Sequence, residues 1–267
     1  MSSAIILEIA IFTVQVFALI PIVYGGIRLS GRCRNSVPIS FFIFAMVSYS
    51  LEDLYWIVYD FLRPHTRMPF SSDEIAKTAT LLLLGACLTQ IAHEYKNLHI
   101  ASLLFSILFI GLNIVLWILW SGEWVQDIVC SPPYIYFLYV VVSRSHKAGV
   151  YKKNEKTVAV AGTFAVFALN FAPIIFKEYR AELEITAYVV MFIVTGLAVA
   201  YDYKGLFDRD KDNVMKALYT AFFIFFWSDL VLFMCEGVWY IIASALNILT
   251  LPVLYFALKR WALNDIR

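Results

Sequence analysis

The chain has 267 residues, of which 61% are hydrophobic and only 15% are charged, and its mean hydropathy is +0.76. Soluble domains usually carry about a quarter charged residues, so the composition excludes an ordinary soluble enzyme or binding module. A net charge of +1, without a basic tail or patch, argues against nucleic-acid binding. Because no polar stretch is long enough for a soluble domain, residues 1–267 are predicted to form a single transmembrane domain.

Apolar segments long enough to cross a bilayer recur along the whole chain. A hydrocarbon core of roughly 30 Å needs about 20 apolar residues in a helix. The first segment is expected to be a retained helix rather than a signal peptide, because no basic residue precedes it and it contains Glu8. In total, nine segments predict an all-α bundle of membrane-spanning helices: 4–25, 38–62, 73–92, 98–120, 124–143, 157–176, 184–201, 213–235 and 238–259.

The fifth segment is interrupted by Pro132 and Pro133, so eight spans are the alternative to nine. The distribution of basic residues separates the two models, because Lys and Arg accumulate in cytoplasmic loops. With nine spans and an external N-terminus, 16 of the 21 Lys and Arg residues lie in cytoplasmic segments and 4 lie outside. Eight spans with the same N-terminus reverse this bias, whereas eight spans that start inside give 14 inside and 6 outside. We therefore predict nine spans in the cell membrane, with the N-terminus outside and the C-terminus cytoplasmic.

The second segment contains an unusual number of acidic residues. Glu52, Asp53 and Asp60 all fall in the stretch SYSLEDLYWIVYDFLRP, which otherwise has the composition of a membrane helix. A charged group in hydrocarbon costs roughly 3 kcal/mol and usually faces a cavity or a partner. Helical spacing places Asp53, Trp56 and Asp60 on one face of this helix. These residues therefore predict a partly hydrated pocket.

Most other polar residues of the spans fall in the same half of the membrane, which is the outer half in the nine-span model. Asp229, in the eighth segment, is expected to converge with Glu52 and Asp53, and these three are the candidate catalytic residues. Lys77 is a candidate counter-ion for one of the acids. The predicted ligand-binding residues are Glu52, Asp53, Trp56, Asp60, Lys77, Asn113, Asp127, Asn170, Trp227 and Asp229.

Two tryptophans indicate which kind of ligand such a pocket would accept. Trp56 and Trp227 lie deeper in their segments than the other tryptophans of the outer half, and each is within four residues of an acid. Aromatic rings beside carboxylates suit a cationic or amphipathic guest, because a cation is attracted to the face of a ring. The other tryptophans of this half are explained by the aromatic belt found at membrane interfaces.

No motif assigns a reaction, a metal or a cofactor. The four cysteines are far apart, and the sequence contains no C-x-x-C, H-E-x-x-H or G-x-S-x-G pattern. The pocket predicts binding or transport of a small cationic or amphipathic molecule by a protein whose partner is membrane lipid. Two alternatives remain open. One is an intramembrane enzyme that uses paired carboxylates on a lipid or isoprenoid, and the other is a sensor that signals through a separate partner protein.

Overall fold

The structure is a computed structural model that describes residues 3–33, 35–62, 72–92, 98–121, 124–207, 213–235 and 237–265. Throughout these ranges the regular structure is helical, as predicted, and includes a short 3-10 helix at Lys177–Tyr179. The α-helices are α1 (Ser3–Ser30), α2 (Val37–Leu62), α3 (Ser72–Ile91), α4 (Ile100–Ser121), α5 (Trp124–Val129), α6 (Ser131–Lys147), α7 (Lys153–Ile175), α8 (Arg180–Phe207), α9 (Asn213–Leu232) and α10 (Val238–Asp265).

Within the described residues, nine helical segments are long and apolar enough to cross a membrane, which confirms the predicted number of spans and makes the chain a multi-pass membrane protein. The fifth span, Trp124–Lys147, consists of α5 and α6 together. Cys130 lies between them and its N–H donates to the Gln126 carbonyl at 2.9 Å. Pro132 and Pro133 fall in the first turn of α6, where a missing N–H costs no helical hydrogen bond. The proline pair therefore marks a break within one span.

Several helices extend beyond the predicted apolar segments. α7 begins at Lys153 rather than at 157, and α8 ends at Phe207 rather than at 201. Hydropathy marks where a helix leaves the hydrocarbon, whereas the helix itself continues until its backbone hydrogen bonds are broken or capped. At the start of α7, for example, the Lys152 N–H donates to Glu155 Oε2 at 2.8 Å and caps the first turn. The added turns are accordingly polar.

The bundle is built around α9, whose side chains are mostly buried and which contacts α6, α8 and α10. On one side α2 packs against α1 and α3, while α1 reaches α10 and α3 reaches α6. On the other side α7 packs against α8, and α4 packs against α6. One continuous core of large apolar side chains joins these helices.

Because successive spans run in opposite directions, one end of the bundle collects the starts of α1, α3, α5, α8 and α10 and the ends of α2, α4, α7 and α9. We call it the N-terminal end of the bundle, since α1 begins there. It corresponds to the predicted outer side of the membrane. The orientation itself stays a prediction from the distribution of basic residues.

Candidate functional site

Lys77 on α3 joins two carboxylates that come from two other helices. Its Nζ lies 3.0 Å from Glu52 Oε1 on α2 and also forms an ion pair with Asp229 on α9. All three side chains are largely withdrawn from solvent, with exposed fractions of 7% for Lys77, 14% for Glu52 and 0% for Asp229. We call Glu52, Lys77 and Asp229 the Lys77 triad. It links α2, α3 and α9 near the N-terminal end of the bundle.

The Lys77 triad has two carboxylates and one ammonium, so its charges do not balance. Among the groups that the structure describes, Glu52 Oε2 and Asp229 Oδ2 are buried without a hydrogen-bond partner. The rings of Tyr49 and Phe233 face the ammonium, with centroids 5.2 and 5.1 Å from Lys77 Nζ. Ring faces attract cations, so the surroundings of the triad stabilise positive charge and leave negative charge uncompensated.

A buried hydrogen-bond chain lies next to the triad and joins three helices. The Tyr49 hydroxyl of α2 donates to Asn247 Oδ1 of α10 at 2.8 Å. Asn247 Nδ2 donates to Ser228 Oγ of α9 at 3.0 Å, and this hydroxyl donates to the Phe225 carbonyl at 2.8 Å. Because each of these side chains is buried, the chain fixes the helices that carry Glu52 and Asp229 against each other. It also extends polar groups toward the middle of the membrane.

The triad borders a cavity of about 500 Å³ at the N-terminal end of the bundle, which we call the triad cavity. A cavity of this size holds a small organic molecule. One ammonium, Lys77, faces it from the described residues, together with carboxylates from α1, α2, α3 and α5. The lining carboxylates are those of Glu8, Glu52, Asp73, Glu74 and Asp127. The aromatic lining consists of Phe12, Trp56, Trp117, Tyr134, Phe233 and Tyr240.

Four of the predicted ligand-binding residues line the triad cavity: Glu52, Trp56, Lys77 and Asp127. Asp229 is fully buried and is not part of the lining. It lies behind the ammonium of Lys77, with which it is paired. A molecule in the cavity can therefore contact Glu52 directly. It can contact Asp229 only after the side chain of Lys77 has moved.

Asp53 faces a different neighbour from Glu52. It is 2% exposed, does not line the triad cavity, and lies beside the side-chain amide of Gln15 on α1. Consecutive residues of an α-helix are rotated by about 100° around its axis, so the two adjacent acids point to different sides of α2. The structure thus places Asp53 against α1 and Glu52 against α3.

The remaining predicted residues lie elsewhere. Asn113 is buried in α4, where its Nδ2 donates to the backbone carbonyl one turn earlier at 3.1 Å. Trp227 is also buried, and its Nε1 donates to Thr195 Oγ1 on α8 at 3.0 Å. Asn170 lines a separate cavity beside α7 and α8. The side chain of Asp60 is outside the described residues.

Sequence reasoning missed Asp202, which is buried on α8 and whose Oδ2 has no hydrogen-bond partner in the described part of the chain. The predicted span ended at 201, so this residue was assigned to a loop. A signal was nevertheless present, because Thr195, Val199 and Asp202 follow the spacing of one helical face, and all three are buried. Asp202 lies toward the opposite end of α8 from the N-terminal end of the bundle.

Comparison of the chain with protein-family models, with curated proteins and with solved structures gives no match. The described ranges also contain no group of three or more His, Cys, Asp or Glu side chains arranged to hold a metal ion. The function must therefore be argued from the Lys77 triad and the cavity that it borders.

Proposed function

We propose that this protein binds a small organic cation in the triad cavity and transports it across the cell membrane. The observation that carries the proposal is the imbalance of charge in the Lys77 triad, where two buried carboxylates share one ammonium and Glu52 borders the cavity. Carboxylates at membrane depth are costly unless a partner compensates them. A bound organic cation supplies the compensation that Lys77 alone does not.

Glu52 is the residue that contacts the cation in this proposal. It lines the cavity, and its Oε2 is unpartnered within the described residues while its Oε1 binds Lys77. A cation that enters the cavity competes with Lys77 for this carboxylate. Asp229 then retains the ammonium, since it pairs with Lys77 and is not itself part of the cavity lining. Lys77 thus acts as an internal cation that occupies the site when the ligand is absent.

The aromatic lining restricts the ligand to a cation with apolar substituents. Trp117, Tyr134 and Phe233 face the cavity on the same side as Lys77, and rings of this kind stabilise alkylammonium groups by cation–π attraction. A strongly hydrated inorganic ion would not use these surfaces. The expected ligand is an amine or quaternary ammonium that fits within about 500 Å³.

Transport is supported by the contrast between the two ends of the bundle. The triad cavity opens at the N-terminal end, and the Tyr49–Asn247–Ser228 chain continues from it toward the membrane centre. Toward the opposite end, Lys216 Nζ lies 2.7 Å from Glu155 Oε1 and joins α9 to α7. This arrangement fits a carrier whose binding cavity lies near one end of the bundle while an ion pair joins helices near the other.

Intramembrane catalysis by paired carboxylates has less support. Glu52 and Asp229 both pair with the same ammonium, that of Lys77. A general acid and base acting on one substrate need two carboxyl groups in different protonation states. The geometry is that of an ion-pair network, so binding is the function that it favours.

Mass spectrometry of small molecules retained by purified protein tests the proposal. Glu52→Gln and Asp229→Asn each remove one carboxylate and leave a balanced pair with Lys77, so both variants are expected to fold. Glu178→Gln, in the exposed 3-10 helix, is the matched control. We expect an organic cation in the wild type and the control, and at least tenfold less in both test variants.

The same cation, loaded into proteoliposomes, is expected to show counterflow. Equal retention by all four proteins would contradict cation binding at the triad. Retention without counterflow would contradict transport and leave a binding or sensing protein. A chemically altered product formed by the wild type and the control, but not by the two test variants, would indicate an enzyme.

A further inference from the structure

A second cavity, of about 490 Å³, lies beside α4, α7 and α8, also toward the N-terminal end of the bundle. We call it the α7–α8 cavity. It has two chemically different parts. Leu119, Pro173 and Ile174 form an apolar part, and Lys177, Arg180 and Glu184 form a charged rim. The triad cavity and the α7–α8 cavity share no lining residue.

α4 and α7 contact each other through aromatic rings at one level and border the cavity at another. Farther from the N-terminal end they are joined by ring contacts, with centroids 6.3 Å apart for Phe105–Phe164 and 5.0 Å apart for Phe109–Phe167. Nearer that end, the facing residues Leu119 and Pro173 line open space instead. Proline removes a backbone hydrogen bond of a helix, and Pro173 of α7 is one of the residues that line the cavity.

The depth of the cavity in the membrane follows from its neighbours. Ile175, Phe176 and Tyr179 are 68%, 58% and 62% exposed on the turn between α7 and α8. Exposed apolar and aromatic side chains next to basic ones are typical of the membrane interface. Lys177 and Arg180 on the same turn therefore lie at headgroup level, and Leu119 and Ile174 lie at the level of the acyl chains.

We propose that the α7–α8 cavity is a binding site for a membrane phospholipid. The phosphate lies against Lys177 and Arg180, and an acyl chain fills the apolar part against Leu119. Among the described residues, two cations and one carboxylate line the rim, so this rim attracts an anionic group. Glu184 Oε1, 2.7 Å from Arg180 Nε, orients the guanidinium toward the rim. Lys and Arg side chains bind a phosphate group through charge-assisted hydrogen bonds.

Binding of palmitoyl-oleoyl phosphatidylglycerol to delipidated protein, measured by native mass spectrometry, tests this site. The first variant, Lys177→Gln with Arg180→Gln, removes the charged rim. Its control, Lys152→Gln with Lys153→Gln, removes two exposed cations at the other end of the bundle. The second variant, Leu119→Trp, fills the apolar part, and Leu104→Trp on the lipid-exposed surface of the same helix is its control.

We expect one phospholipid to bind the wild type and both controls, with at least tenfold weaker binding to each test variant. Addition of inorganic phosphate is not expected to displace the lipid, because phosphate cannot occupy the apolar part. Three results would overturn the proposal. The first is equal binding by all five proteins. The second is a loss of binding confined to the rim variant, which would indicate unspecific attraction. The third is full displacement by inorganic phosphate, which would indicate an anion site without an acyl pocket.

Discussion

Lys77 and Asp229 form an ion pair between α3 and α9 at a place where their side chains are only 7% and 0% exposed. Removing one partner of a buried pair leaves the other charge uncompensated, and this costs more than the pair itself contributes. The pair therefore has a double role. It joins two helices, and it keeps the Lys77 ammonium beside Glu52.

Lys77→Met is predicted to lower the free energy of unfolding by about 3–5 kcal/mol, because it leaves Glu52 and Asp229 as unpaired buried carboxylates. In the double variant Lys77→Met with Asp229→Asn, the loss is expected to be smaller than the sum of the two single losses. The free energy of unfolding is measured in mixed detergent micelles for the wild type, the two single variants and the double variant. Strictly additive losses would contradict coupling between the two residues.

Tyr49→Phe is predicted to destabilise the protein by about 1–3 kcal/mol, because the buried Oδ1 of Asn247 then loses its donor. Tyr179→Phe is the matched control, since that hydroxyl belongs to a 62% exposed residue. Thermal unfolding of both variants in the same detergent provides the comparison. A Tyr49→Phe variant as stable as the control would show that the hydrogen-bond chain does not hold α2 against α10.

Gly85→Ala is predicted to destabilise the bundle by about 1–3 kcal/mol through overpacking. A Cβ at this position would overlap the ring of Tyr136, where α3 packs against α6. At Gly111 on α4, no atom lies within 4 Å of an added Cβ. Gly111→Ala is therefore expected to be neutral or stabilising by up to about 1 kcal/mol, because alanine favours helix.

The comparison of the two glycine variants uses unfolding midpoints under identical conditions. The contact at Tyr136 is tested further by the double variant Gly85→Ala with Tyr136→Ala. Because Tyr136→Ala removes the ring, the added methyl group at position 85 is expected to cause no further loss of stability in this background. A Gly85→Ala variant that is as stable as Gly111→Ala would contradict the close approach of α3 and α6.

Hydropathy predicted the all-helical fold, because a helix that crosses a bilayer must be apolar over about 20 residues. Together with the distribution of basic residues it also predicted the nine spans. It did not predict the polar ends of α7 and α8, which lie outside the apolar windows. It also missed Asp202, since a single carboxylate past the last apolar residue resembles the start of a loop. The helical spacing of Thr195, Val199 and Asp202, continued past the last apolar residue, is the pattern that predicts a buried carboxylate here.

The candidate site was predicted only in part, and the difference lies in the rotation of the helices. Sequence reasoning named Glu52, Lys77 and Asp229, and the structure joins them. It treated Asp53 as equivalent to Glu52, although the structure turns Asp53 toward Gln15. The sequence shows that one face of α2 is polar, but which neighbour meets each side chain depends on packing between helices that are far apart in the chain.

Single-cysteine variants test the predicted orientation. Cys130 lies at the junction of α5 and α6 and lines the triad cavity, whereas Cys33 follows α1 at the opposite end of the bundle. In intact cells, a membrane-impermeant thiol reagent is predicted to label the variant that retains Cys130. The variant that retains Cys33 is expected to react only after permeabilisation. The reverse pattern would place the N-terminus in the cytoplasm and contradict the nine-span orientation.

The most direct test of the central claim is equilibrium binding of benzyltrimethylammonium, a small aromatic cation, to purified wild type, Glu52→Gln and Glu178→Gln. Glu52→Gln keeps the Lys77–Asp229 pair balanced, so a change in its Kd reports the cavity rather than unfolding, and thermal unfolding checks this. We predict saturable binding to the wild type and the Glu178→Gln control, and at least tenfold weaker binding to Glu52→Gln, equivalent to about 1.4 kcal/mol. Equal Kd values for all three proteins, or no saturable binding to the wild type, would contradict a cation site at Glu52.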